Sequence, residues 1–184
     1  MGTTYSIKIL NSNIPKDIIK NDIDSILNII NLEMSTYIDS SEISRFNKSI
    51  PGSQFYIGDD FYKVVSRAKV FNLLTFGLFD PTINPLVKLW GFSKNGYIDE
   101  VPSKEKIDSA LEFVGMENLL IDNNNKSITK KQLIELDLSA IAKGYGVDRI
   151  GEYLNKLSLS NYMIEIGGEI KASGYNKEGM EWVI

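Results

Sequence analysis

Asp137-Leu138-Ser139-Ala140-Ile141-Ala142-Lys143-Gly144-Tyr145-Gly146-Val147-Asp148 joins two different periodicities. Before it, Leu133 to Leu138 alternates as a strand does. After it, Val147, Ile150, Leu154 and Leu157 recur at three- and four-residue steps, which predicts a helix over Ser139–Leu157 with those residues on its buried side. Ser139 is the expected N-cap, so the free N–H groups that follow would form an anion-ready helix start, with Lys143 one turn in. Gly144 and Gly146 each cost about 1 kcal/mol relative to Ala inside a helix. Either close packing on a sheet or close approach of a ligand would offset that cost. The spacing is neither a Walker loop nor a G-x-G-x-x-G turn.

Outward from this segment, strands and helices intersperse. Tyr162–Ile166 returns as a strand into Gly167-Gly168, read as a hairpin turn, and Glu181–Ile184 begins another strand. Upstream, Thr3–Leu10 alternates with Tyr5, Ile7 and Ile9 on one face. Pro15 opens a helix to Met34, a polar segment spans Ser35–Asn47, and Gln54–Ile57 is a short strand. A second helix covers Asp60–Thr75, and Asn84-Pro85 caps a short one through Trp90. Lys94–Val101 is a loop, a helix starts at Pro102-Ser103, and Leu119–Asp122 with Lys126–Thr129 flank an Asn-rich hairpin turn. The expected fold is α+β, with a largely antiparallel sheet and packed helices in one domain, 1–184.

Composition narrows the chemistry. The 184 residues carry a net charge of −4, with 43% apolar and 24% charged residues, and neither Cys nor His. Thiol nucleophiles, Cys-ligated metals, His-based triads and two-His zinc motifs are thereby excluded. A pI near 5.0 argues against general nucleic-acid binding. Carboxylates, Lys, hydroxyls, backbone groups or an oxygen-liganded ion remain.

Two further segments are open to a functional reading, the second on a weaker signal. In Gly77-Leu78-Phe79-Asp80-Pro81-Thr82, Pro81 forces a turn, so Asp80 is either a turn residue or a carboxylate fixed at a cleft mouth beside Phe79. Tyr37, after Met34-Ser35-Thr36, is either half-buried core edge or a ring that stacks on a planar ligand.

In order, Met1-Gly2-Thr3-x-Tyr5, Met34-Ser35-Thr36-Tyr37 with Ser41-Glu42 and Phe46-Asn47, Phe79-Asp80-Pro81-Thr82 through Leu89-Trp90-Gly91-Phe92, Asp137 to Tyr145, and Gly167-Gly168-Glu169-Ile170 resemble the ApbE family of FAD:protein FMN transferases. The resemblance implies a T-fold-related α+β domain that binds FAD with Mg²⁺. It implies transfer of FMN to a Thr or Ser hydroxyl of a target protein, a subunit of an ion-pumping flavin-dependent membrane complex, with FAD hydrolysis as a side activity. Met1, Tyr37, Leu78, Phe79, Asp80, Asp137 and Lys143 match flavin-dinucleotide contacts, and Ala140 matches a carbonyl ligand to the metal. No catalytic side chain is implied.

The family's other metal ligands, an Asp and a Thr, would lie beyond Trp182-Val183-Ile184, so the chain reads as a C-terminally truncated ApbE-like domain. A non-catalytic flavin-nucleotide binding fragment and a bare scaffold are the alternatives. The resemblance implies work at the outer face of the cytoplasmic membrane, where such family members are usually found, although no charged-then-apolar leader opens the sequence.

Overall fold

Lys16–Met34 (α1) is helical because Ile19, Ile23, Leu27, Ile30 and Met34 recur at helical spacing, and all five are buried. The computed structural model describes residues 2–93 and 100–184, and the chain divides into two units, 2–30 with 141–184 and 31–140. The expected loop at 94–101 falls mostly outside the described residues. Among the described residues no helix is long and apolar enough to cross a membrane.

The first unit contains an antiparallel sheet of Tyr5–Ile9 (β1), Tyr162–Ile166 (β5) and Glu169–Ser173 (β6), in the order β1-β5-β6. β1 and β5 run from Tyr5 opposite Ile166 to Ile9 opposite Tyr162. The period-2 pattern read in β1 is the observed one, with Tyr5, Ile7 and Ile9 turned inward. The core combines Ile19, Ile23 and Leu27 of α1 with Val147, Ile150 and Leu154 of Ser139–Lys156 (α6), and with Tyr162, Ile164 and Ile166 of β5. Close helix–sheet packing sits at Gly151, where a Cβ would lie 3.1 Å from the Tyr162 hydroxyl and 3.2 Å from Lys171 Cδ. β5 and β6 are joined by Gly167 and Gly168 at φ of 54° and 93°. Two positive-φ residues in a two-residue loop are what a twisted hairpin needs. The strand expected at Glu181–Ile184 does not form: the segment is held instead by Trp182 Nε1, which donates to Ser173 O at 2.9 Å, and by Asn176 Nδ2, which donates to Glu181 O at 3.2 Å.

The second unit contains the sheet β2-β4-β3, built from Phe55–Tyr56 (β2), Leu119–Asp122 (β3) and Ser127–Lys130 (β4). The Asn-rich hairpin is present. Asp122 Oδ1 accepts the N–H of Asn124 at 2.9 Å, and its Oδ2 accepts Asn125 Nδ2 at 2.7 Å. Three helices have the expected places: Asp59–Leu74 (α3), Asn84–Leu89 (α4) and Lys104–Leu111 (α5). Asn84 is α4's first residue rather than its cap, with Ile83 preceding it.

Three expectations change here. The polar segment 35–47 contains a helix, Glu42–Lys48 (α2), whose Ile43, Ser44 and Phe46 are buried. Ser41 caps it by accepting the Ser44 N–H at 3.1 Å. Leu133–Leu138 is not a strand of either sheet, although Ile134, Leu136 and Leu138 are buried in the alternation that suggested one; among the described residues its ladder contact is a parallel bridge from Glu135 to Ile83. At the start of α6, Asp137 rather than Ser139 is the capping side chain: its Oδ1 accepts the Ser139 N–H at 2.7 Å.

The N-cap of α3 is Gly58, which has no side chain to offer, so carboxylates from elsewhere satisfy the helix start. Glu33 Oε2 accepts the Phe61 N–H at 2.6 Å, and Glu42 Oε2 accepts the Gly58 N–H at 2.7 Å. Burial pushes the Glu33 carboxyl up to about 7; the Phe61 N–H opposes this, and Glu42, Asp60 and Asp59 add to it. Because the folded value lies above the ordinary value of 4.5, the associated stability is complete below about pH 4.5 and is lost as pH rises through about 7. Allowing for solvent screening at this half-buried group, the loss is about 1–2 kcal/mol. Glu33→Gln keeps the acceptor and removes the titration. Urea midpoints at pH 5 and pH 8 are expected to differ for the native chain by more than for the variant.

Candidate functional site

In the second unit, three of the sequence motifs converge on the residues before α6. Asp80 Oδ1 accepts the N–H of Thr82 at 2.8 Å and its hydroxyl at 2.6 Å. Asp80 Oδ2 accepts the Met116 N–H at 3.2 Å, and Thr82 Oγ1 accepts the Gly115 N–H at 2.7 Å. The 80–82 turn is therefore held by this carboxylate as well as by Pro81. The Pro81 carbonyl accepts the Asp137 N–H at 2.7 Å, which places the turn beside the α6 start. On the opposite side of the same segment, Asn47 Nδ2 donates to Leu136 O at 2.9 Å, and Leu136 N–H donates to Asn47 Oδ1 at 2.8 Å.

Leu78 and Phe79 precede the turn. Leu78 is 93% exposed, while Phe79 packs edge-on against Phe71 with ring centroids 6.1 Å apart. Asn72 Nδ2 donates to Phe79 O at 2.8 Å, and Phe79 N–H donates to Thr75 Oγ1 at 3.0 Å, so the backbone under these side chains is fixed. Tyr37 is 60% exposed, which removes the core-edge reading; its hydroxyl donates to Phe92 O at 3.4 Å. Ser139 and Ala140, at the α6 start, are exposed. Tyr37 and Leu78 thus present uncovered aromatic and apolar surface, as a planar ring requires.

In the first unit, Lys143 meets the glycine pair. Its Nζ donates to Gly167 O at 3.0 Å and lies 3.7 Å from Glu169 Oε1. Gly168 N–H donates to Glu165 Oε1 at 2.7 Å, and Gly167 N–H to Thr4 O at 3.3 Å. The cation one turn into α6 is therefore held by the β5–β6 turn, next to the chain's opening residues. Met1, matched to a flavin contact, lies outside the described residues. Of the two helix glycines, Gly144 faces open space: a Cβ there meets nothing within 4 Å. Close packing does not account for it.

Lys130 matters here and carried a signal that the sequence reading passed over. Lys130 shares the inward face of β4 with Ile128 and is 0% exposed. Its Nζ donates to Asn47 O at 2.9 Å and Ile134 O at 3.3 Å, 5.2 Å from the Phe46 ring centroid. Burial pushes its ammonium down, opposed by Glu135. Glu135 in turn accepts Asn84 Nδ2 at 2.8 Å and pairs with Lys88. The signal for Lys130 was a charged residue on the apolar phase of a strand.

The ApbE family model matches residues 1–184. An FAD:protein FMN transferase of Vibrio cholerae is 42% identical over all of this chain and 55% of its own length, and one of Haemophilus influenzae is 39% identical over the same shares. Among solved structures, the flavin transferase ApbE from Vibrio cholerae superposes with a TM-score of 0.96 at 39% identity, over the whole of this chain and 60% of its own. The Pseudomonas stutzeri flavinyl transferase ApbE does so with a TM-score of 0.93 at 34% identity and 59%. The chain spans little more than half the length of these curated relatives. On its full-length match, its motif order and its α+β architecture, the chain belongs to the ApbE family.

Proposed function

We propose that this chain serves an FAD:protein FMN transferase. The acceptor's Thr or Ser oxygen attacks the FMN phosphorus, the bond to the bridging oxygen breaks, AMP leaves with that oxygen, and the hydroxyl proton passes to solvent. The observation that carries this reading is the α6 start. There Asp137 holds the Ser139 N–H, Ser139 and Ala140 stand exposed, and the 78–82 turn is hydrogen-bonded alongside. A helix start of this kind suits a diphosphate. In the second unit Leu78, Phe79 and Tyr37 suit the ring systems; in the first unit, by itself, Lys143 is a cation of the kind that a phosphate takes.

Mg²⁺, when bound, neutralises charge on the diphosphate. Ala140 would offer its carbonyl, but the described residues do not themselves make up a set of Mg²⁺ ligands. No three carboxylates converge among them, and Asp80 and Asp137 are already hydrogen-bonded within the fold. That commitment of both carboxylates favours a second reading, a flavin-nucleotide binding module without turnover. The target, under the first reading, is a subunit of a flavin-dependent ion-pumping membrane complex met on the outer face of the cytoplasmic membrane.

Incubation with FAD, Mg²⁺ and an acceptor peptide that carries a Thr or Ser hydroxyl separates the two. Release of AMP supports the transferase, binding without AMP supports the module, and no change in flavin fluorescence overturns both. Gly144→Ala sharpens the test. With open space for the methyl, it is expected to stabilise the chain by about 0.5–1 kcal/mol while weakening FAD binding. Raised stability with unchanged affinity would remove Gly144 from the ligand's approach.

A further inference from the structure

Ser41-Glu42 and Phe46-Asn47 form a motif to which the flavin contacts assign nothing. Three of its members have local duties: Ser41 caps α2, Glu42 holds the Gly58 N–H, and Phe46 is buried beneath Lys130. Asn47, in the last turn of α2, does something different. Its amide pairs with both the N–H and the C=O of Leu136, as an adjacent strand residue would. Its own carbonyl is held by Lys130, which also holds Ile134 O. From the other side, Pro81 O takes the Asp137 N–H, and Ile83 bridges to Glu135.

Residues 134–137 are thus an extended segment gripped on both sides, largely by side chains rather than a ladder. Leu136 is 0% exposed, so without Asn47 its N–H and C=O would be left buried and unpartnered. Asp137 follows directly, and its carboxylate sets the first turn of α6.

We propose that Asn47 is a positioning residue: by clamping Leu136 it sets the direction in which Asp137 and Ala140 are presented, and so governs affinity for a nucleotide diphosphate without touching it. The functional half of this proposal rests on the reading that FAD binds at the α6 start; the structural half does not. Small displacements of binding groups cost disproportionately, and Asn47→Ala is expected to raise the FAD dissociation constant about tenfold. It is also expected to speed hydrogen exchange at the Asp137 and Ser139 amides about tenfold, with or without flavin.

Ile43→Val, a core change in the same helix, serves as the control: it lowers the unfolding midpoint and leaves both readouts unchanged. Asn47→Asp adds a pH readout. Its carboxylate repels Leu136 O, whereas the protonated acid both donates and accepts, so FAD affinity should recover as pH falls through that group's titration. Exchange at Asp137 and Ser139 unaltered by Asn47→Ala overturns the proposal, as does FAD affinity that falls only in step with stability. If the native chain binds no FAD, the functional reading fails, and the exchange measurement alone decides the clamp.

Discussion

Asp80→Ala is expected to lower the unfolding free energy of the second unit by about 3 kcal/mol and to abolish measurable FAD binding. The carboxylate takes the Thr82 N–H and hydroxyl on one oxygen and the Met116 N–H on the other, while Thr82 holds Gly115. Thr82 is itself buried, so alanine leaves a hydroxyl and two N–H groups to find new partners. From the sequence, the prolines alone would hold this turn, and the mutation would then weaken binding more than it alters stability. The hydrogen bonds from Thr82 and Met116 to the carboxylate add a stability cost to that loss of binding. Urea unfolding with an unchanged m value measures the first effect and a flavin titration the second. Asp80→Asn keeps one acceptor and should recover part of the stability. A stable Asp80→Ala variant lacking only flavin affinity would show that the carboxylate serves the ligand rather than the turn.

The second large effect is expected at Lys130. Alanine there removes a buried stem and leaves the Asn47 and Ile134 carbonyls without their donor, at a cost of about 3–5 kcal/mol. Methionine restores the stem and removes a desolvated charge, so Lys130→Met should recover at least half of that loss. The pH dependence distinguishes the two contributions. Burial lowers the ammonium's value from the ordinary 10.5, so the folded chain releases its proton before the unfolded chain does. Stability associated with this group is therefore complete above 10.5 and is lost as pH falls through the lowered value. The native chain should gain stability relative to Lys130→Met as pH rises toward 10.5. Equal losses for alanine and methionine would place the whole effect in the ammonium.

Periodicity and glycine chemistry settled most of the architecture. α1, α3 and α6 follow from apolar residues three and four apart, β1 from strict alternation, and the β5–β6 hairpin from a glycine pair able to take two positive φ values. The family, too, was legible, because its motifs lie in chain order. What failed were inferences about which group satisfies a given backbone atom. Leu133–Leu138 alternates as a strand does, but alternation reports only burial; Asn47 and Pro81 hold its polar groups, and both are distant in sequence. α2 was hidden because seven residues carry too short a period to stand out, and its stability comes from Ser41 and from burial of Ile43 and Phe46.

At the candidate site the residue types were readable, but their engagements were not. Asp80 and Asp137 are carboxylates in any conformation; only the folded chain commits them to Thr82, Met116 and Ser139, and Lys143 to the Gly167 carbonyl. Hydrogen-bond partners are chosen by tertiary proximity, whereas local periodicity is a property of neighbours along the chain. That is why the linear order of residues determined the elements and the kinship of this protein, while the three-dimensional arrangement decided which of its charged groups brace the turns.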